Sequence, residues 1–138
     1  MVATHRREIS TRGQGDAHDI TELVSAAVAD TSCAAGIATV FVVGSTATVT
    51  TIEFEPGAVA DLNRLLEEIA PRDDEYRHHL RWGDDNGSSH VRAALVGPSV
   101  VIPFSAKRLL LGEWQQIVLV ELDTRPRRRR IVIQLVGE

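Results

Sequence analysis

Apolar positions recur along this chain with two periods. Residues Thr4 to Thr11 alternate weakly, as a strand does, and Gly13-Gln14-Gly15-Asp16 reads as a loop. Asp19-x-x-Glu22 has the spacing of a capping box with Asp19 as N-cap. Ile20, Leu23, Val24, Ala27 and Val28 follow at helical spacing, which predicts a helix ending near Cys33. Ile37 to Val43 is nearly continuous and β-branched, the pattern of a buried strand. Ala47 to Glu55 predicts another strand, and the short break Gly44-Ser45-Thr46 predicts a hairpin between the two. Pro56-Gly57 closes that strand. Val59, Leu62, Leu65, Leu66 and Ile69 then form one face of a second helix, stopped by Pro71. Tyr76 to His90 is polar and without period, and reads as an irregular loop. Val91 to Val96 is short and apolar, Val100 to Phe104 predicts a strand, and Leu109 to Gly112 a short extended piece. Ile117 to Asp123 and Arg129 to Val136 alternate as strands around a turn at Thr124-Arg125-Pro126. Short links between successive strands predict largely antiparallel sheets, hence an α+β class.

Length and charge narrow the picture. With 138 residues, 43% hydrophobic, the chain fits one domain, 1–138, with a real core. No apolar run approaches the roughly 20 residues needed to span a bilayer. Met1 to Ile9 is polar and basic, unlike a signal peptide, so a cytoplasmic location is the default expectation. The lone cysteine, Cys33, excludes an internal disulfide and reads as a small buried hydrophobe. A net charge of −4 and 4% aromatic residues argue against a nucleic-acid partner. Arg127 to Arg130 is the exception, and the better reading is cross-strand pairing with Glu121 and Asp123.

The candidate chemistry is densest from Tyr76 to His90. Three of the five histidines, His78, His79 and His90, lie within thirteen positions, with Asp84 and Asp85 between them. Imidazole and carboxylate suit zinc and similar ions, and Asn86-Gly87 could turn His90 back toward His78. The bland alternative is a solvated loop. Thr51, Glu53 and Glu55 alternate on one strand, so both carboxylates would share a face, roughly 6–7 Å apart. They offer a metal ligand or general base; a solvent-facing edge is the plainer reading. Gly44-Ser45-Thr46 has a permissive backbone and two hydroxyls suited to phosphate, but lacks the lysine and spacing of a P-loop. Trp114 reads as an anchor, and Gln115 as a ligand contact or a partner for a carboxylate.

These residues resemble the YjbQ-like family, also described as secondary thiamine-phosphate synthases. The matching segments are Tyr76-Arg77-His78, Asp85-Asn86-Gly87-Ser88-Ser89-His90, Gly97-Pro98-Ser99 with Ile102-Pro103, and Leu111-Gly112-Glu113-Trp114-Gln115. Asp19-Ile20-Thr21 and the end Arg129 to Gly137 fit as well. The resemblance implies a sandwich of mostly antiparallel sheets with two or three helices. It also implies a homotrimer with sites near subunit boundaries and no membrane partner. His78 and His90 become metal ligands for zinc or magnesium, or phosphate contacts. Asp85, His90, Gln115 and Glu53 become the catalytic set. Ser45, Thr46, Asn86, Gly87, Ser89 and Arg92 become contacts to a small phosphorylated molecule. One position departs: many members have His-Thr-Thr where this chain has Gly44-Ser45-Thr46, which puts a three-histidine metal site in doubt.

The implied reaction condenses hydroxymethylpyrimidine diphosphate with thiazole phosphate and releases pyrophosphate. Its departing charge asks for a metal or a guanidinium, and Arg77, Arg81 and Arg92 are candidates. Two alternatives are a metal-dependent phosphate-ester hydrolase and a non-enzymatic trimer that binds a metal or anion.

Overall fold

A computed structural model describes all of residues 1–138. The strands are β1 (Val2–Ser10), β2 (Ala17–Asp19), β3 (Ala35–Val43), β4 (Ala47–Ile52), β5 (Ser99–Ser105), β6 (Arg108–Leu109), β7 (Gln116–Glu121) and β8 (Arg128–Gly137). The helices are α1 (Thr21–Asp30), α2 (Pro56–Ile69), α3 (Arg77–Trp82) and α4 (Gly87–Val96). Two antiparallel sheets form, in the orders β1-β8-β3-β5-β6 and β2-β7-β4. The α+β class with packed antiparallel sheets is as expected; the helices number four rather than two or three.

Strand alternation builds the core. Ala38, Val40 and Val42 of β3, and Ile131, Ile133 and Leu135 of β8, point inward from the large sheet. They meet Val49 of β4, Ile117 and Leu119 of β7, and Val24, Ala27 and Val28 of α1. The intervening residues of β7, Val118 and Val120, face the other way with Leu122 and pack against Leu66 of α2 and Ala93 of α4. β7 is therefore buried on both faces, as its unbroken apolar run requires.

Five local readings need correction. β3 and β4 are not a hairpin: β3 pairs with β5 and β8, β4 with β7, and Gly44 (φ +138°) carries the chain from one sheet to the other. β7 and β8 likewise lie in different sheets. β4 ends at Ile52, so Glu53 and Glu55 do not share a strand face. Pro56-Gly57 opens α2 instead of only ending a strand. Glu55 is its N-cap, accepting from the Gly57 and Ala58 amides at 2.8 and 2.7 Å. Those two bonds hold the Glu55 carboxyl below its ordinary pKa. Asp19 accepts from the Thr21 amide and hydroxyl, and Ile20 is the capping position of α1.

The largest difference is Tyr76 to His90, which contains α3 and the start of α4 rather than a loop. Glycine and serines at the head of α4 hide its period. The stripe Ser89, Arg92, Ala93, Val96 supplies it, because Ala93 and Val96 pack on the second cluster. No helix is long and apolar enough to cross a membrane.

Candidate functional site

One end of the inter-sheet core is polar. Inward alternation on β8 places Arg129 in line with Ile131 and Ile133; alternation on β7 places Glu121 in line with Ile117 and Leu119. Both are buried, and they meet there. Arg129 Nε and Nη2 donate to the two Glu121 oxygens at 2.8 and 2.5 Å. Nη2 also donates to the Thr46 carbonyl and hydroxyl at 2.9 and 2.7 Å. The expected pairing of these arginines with Glu121 and Asp123 is present, but not across one hairpin: Arg129–Glu121 ties two sheets together, and Arg127–Asp123 lies within the β7–β8 link.

Asp123, fully buried, is the second anchor. It accepts from Arg127 Nε (2.8 Å), the Thr124 amide (2.7 Å), the Thr46 hydroxyl (3.1 Å) and Asn86 Nδ2 (3.4 Å). Burial alone would raise its pKa; the hydrogen bonds from Arg127, Thr124 and Thr46 overcome that and hold it below the ordinary value. Asp123 thus draws together the β3–β4 link, the head of α4 and the β7–β8 link.

Over these anchors lies an open cleft of about 420 Å³, lined by Gly44 to Thr46, His78, Trp82, Asp84, Asn86, His90, Arg127 and Arg129. α3 supplies His78 and α4 supplies His90, and their rings sit 4.4 Å apart between centroids. Gly87 permits this: a Cβ there would stand 2.7 Å from Tyr76 Cγ, so only glycine lets the start of α3 approach α4 this closely. The His90 pKa is lowered, first by burial and then by the neighbouring His78. His78 Nδ1 lies 3.2 Å from Asp84 Oδ1 without hydrogen-bond alignment, and Asn86 Oδ1 is buried without a partner. A smaller cavity of about 220 Å³ beside Phe54, Pro56 and Val59 contains none of these groups.

The cleft unites His78, His90, Ser45, Thr46 and Asn86 from the sequence candidates. Asp85 points away, 91% exposed; Asp84 takes the place beside His78. Arg92 is buried elsewhere, donating to the Ala70 carbonyl at 2.9 Å and pairing with Glu67. Gly87 acts through packing, and the Ser89 hydroxyl is buried without a partner and does not line the cleft. Gln115 closes its own turn, accepting from the Gly112 amide at 3.0 Å and donating to Thr51 at 3.4 Å. Glu53 lines a separate groove with Glu113 and Trp114. Arg77 and Arg81 do not line the cleft, whereas Arg127 and Arg129 do. The signal for Arg129 was present in the alternation of β8. Trp82 and Asp84 had none, since their placement depends on α3.

The donor set does not fit a resident metal. No three His, Cys, Asp or Glu side chains converge to hold one. At the third position Gly44 has no side chain, and Arg129 Nη1 lies 2.8 Å from where a Cβ would stand. A fixed guanidinium fills that space.

Comparison with known proteins agrees with this architecture. The profile of the UPF0047 protein YjbQ-like family matches residues 5–138. A UPF0047 protein of Mycobacterium tuberculosis strain H37Rv is 43% identical over 102 residues, covering 73% of this chain and 75% of its own. One from Methanothermobacter thermautotrophicus is 34% identical over 137 residues, covering 99% and 94%. The crystal structure of a YbjQ-like protein of unknown function from Sulfolobus solfataricus P2 superposes with a TM-score of 0.89 at 30% identity, covering 100% of both chains. The chain belongs to the UPF0047, YjbQ-like family.

Proposed function

We propose that the cleft binds a small phosphorylated molecule without a resident metal, and uses the His78–His90 pair to move a proton at the bound group. The convergence of Arg127 and Arg129 on the β3–β4 link carries this reading. Each guanidinium spends its Nε and Nη2 on a buried carboxylate, while Nη1 takes no partner within the chain. The backbone amides of Gly44, Ser45 and Thr46 donate to no other backbone group. Two guanidinium N–H edges, a hydroxyl and main-chain N–H groups are the donors a phosphate or diphosphate takes. Burial holds the His90 pKa below its ordinary value, so its neutral imidazole is ready to accept a proton, and His78 stands against it at 4.4 Å between ring centroids.

The finer reading is the thiamine-phosphate synthase reaction. A thiazole nitrogen forms a bond to the methylene carbon of hydroxymethylpyrimidine diphosphate as the carbon–oxygen bond breaks, and the electron pair leaves with pyrophosphate. The guanidinium edges would take up the charge of that leaving group.

Titration calorimetry with inorganic diphosphate in EDTA tests the site. Saturable binding is expected, weakened roughly tenfold or more by Arg127→Ala, from loss of a charge-assisted contact. An anion favours protonated His90, so affinity should rise as pH falls through the histidine range, and His90→Gln should flatten that rise. No binding, or binding indifferent to Arg127, would remove the proposal. Incubation with both thiamine precursors tests the finer reading: thiamine phosphate supports it, and release of inorganic phosphate alone moves the assignment to a hydrolase.

We also propose the homotrimer. The outer face of the large sheet has no helix over it and exposes Val2, Ile37, Phe41, Val43, Val101 and Val136. Arg6 and Arg130 fringe this face, where Arg128 pairs with Glu8 at 2.8 Å, while Asp19, Glu53, Glu55 and Glu113 line the groove beside exposed Phe54 and Trp114. An apolar basic surface and an aromatic acidic one on the same chain suit head-to-tail contacts that close into a ring. Val43 and Arg130 adjoin Gly44 and Arg129, so a copy docked there borders the cleft. Light scattering at the mass of three chains is expected; a monomer at micromolar concentration would refute the assembly.

A further inference from the structure

We infer that Trp82 is the specificity element of the cleft, a stacking surface that selects phosphates carrying a planar ring over phosphates that do not. The inference rests on the anion-binding reading above and adds the chemistry at the other end of the ligand. Trp82 is the one hydrophobic residue lining the cleft, and it is 64% exposed. Packing does not explain it: no residue of α3 is buried, and Leu80 beside it is exposed as well. The Arg81 guanidinium lies 5.0 Å from the centre of the indole ring, within cation–π range, and helps fix its position. A large aromatic left open beside the donors for a phosphate has the form of a stacking platform, which accepts a flat ring with little regard to its substituents.

The hydrogen-bonding groups nearby agree with a ring that carries N–H donors. Asn86 is 95% buried, its Oδ1 unpartnered, and it lines the same cleft. Asp84 Oδ1 is likewise buried without a hydrogen bond. Donor groups for the phosphate come from Arg127 and Arg129, and open acceptors from Asp84 and Asn86, just ahead of α4. Asn86 Nδ2 and Arg127 Nε donate to the same carboxylate, Asp123, at 3.4 and 2.8 Å, so open acceptor and guanidinium lie side by side in the cleft with the indole at its lining. A phosphate ester of a planar ring that carries a hydrogen-bond donor suits the guanidinium edges, the open acceptors and the indole together.

The test uses the full chain with Trp114→Phe, which leaves Trp82 as the only tryptophan. Phenyl phosphate and glycerol phosphate carry the same anion with and without a ring, and inorganic diphosphate reports the anion site alone. Phenyl phosphate is expected to quench Trp82 fluorescence and to bind more tightly than glycerol phosphate. Trp82→Ala should erase that preference, a loss of roughly 5- to 100-fold for phenyl phosphate, while inorganic diphosphate binds unchanged. Trp82→Phe should keep most of the preference. Equal binding of phenyl phosphate and glycerol phosphate, or a preference that survives Trp82→Ala, overturns the inference while the anion site stands. Failure of inorganic diphosphate and both phosphate esters to bind retires the anion reading and this inference with it. Because the side chain is exposed, the substitutions should leave folding intact.

Discussion

Arg129→Ala is expected to destabilise the protein by about 3–5 kcal/mol, the cost of leaving a buried charge without its partner. Glu121 is fully buried, and Arg129 satisfies both of its oxygens. Alanine would leave Glu121 with the Thr11 hydroxyl (2.7 Å) and the Asp123 amide (3.0 Å) as its remaining donors, and would strip Thr46 of its tie to β8. Urea unfolding followed by circular dichroism measures the loss, as a lower midpoint with an unchanged slope. The double change Arg129→Met with Glu121→Leu should recover a substantial part, because well-packed apolar pairs of similar volume replace buried ion pairs without the desolvation cost. A single variant within about 0.5 kcal/mol of the parent would show that the pair is neither buried nor coupled in solution. Arg129 also faces the cleft, so diphosphate binding should disappear in both variants, including the one that regains stability. That separation marks Arg129 as a binding group and not only a structural one.

Gly87→Ala is the second large effect, expected at about 1–3 kcal/mol through overpacking. The added methyl would overlap Tyr76, whose hydroxyl donates to the Pro71 carbonyl at 2.6 Å and which therefore resists displacement. Helix propensity alone would favour alanine over glycine by up to about 1 kcal/mol, so the sign of the change discriminates between the two physical accounts. If Tyr76 does yield, α3 moves with it, His78 separates from His90, and diphosphate affinity falls together with its pH dependence. A stabilised Gly87→Ala protein with normal binding would mean that α3 is not held against α4 as described.

Much of the strand content was legible because period-two alternation is a local signal: β3, β7 and β8 could be read from apolar positions alone. Their partners could not, because a three-residue link is compatible with either a hairpin or a crossing between sheets. Gly44 resolves that choice through a conformation that depends on the packing around it. In the cluster from Tyr76 to His90, composition pointed to the histidines with both Asp84 and Asp85, and the family resemblance chose Asp85 where the structure brings Asp84 beside His78. Adjacent residues on a loop are equivalent on paper; once α3 ends at Trp82, Asp84 faces the cleft and Asp85 faces solvent.

Arg129 shows the boundary between the two levels. Alternation along β8 by itself puts this arginine on the inward face with Ile131, Ile133 and Leu135, just as alternation along β7 puts Glu121 on the face of Ile117 and Leu119. The chain's own pattern thus determined its α+β class, its core strands and the presence of a charged pair within an apolar layer. Only the tertiary structure decided that the pair sits where the two sheets meet, that its guanidinium occupies the space beside Gly44, and that both histidines gather above it. Burial depends on residue type and period, which are local. A site depends on which elements meet, and that is set by the packing of all of them together.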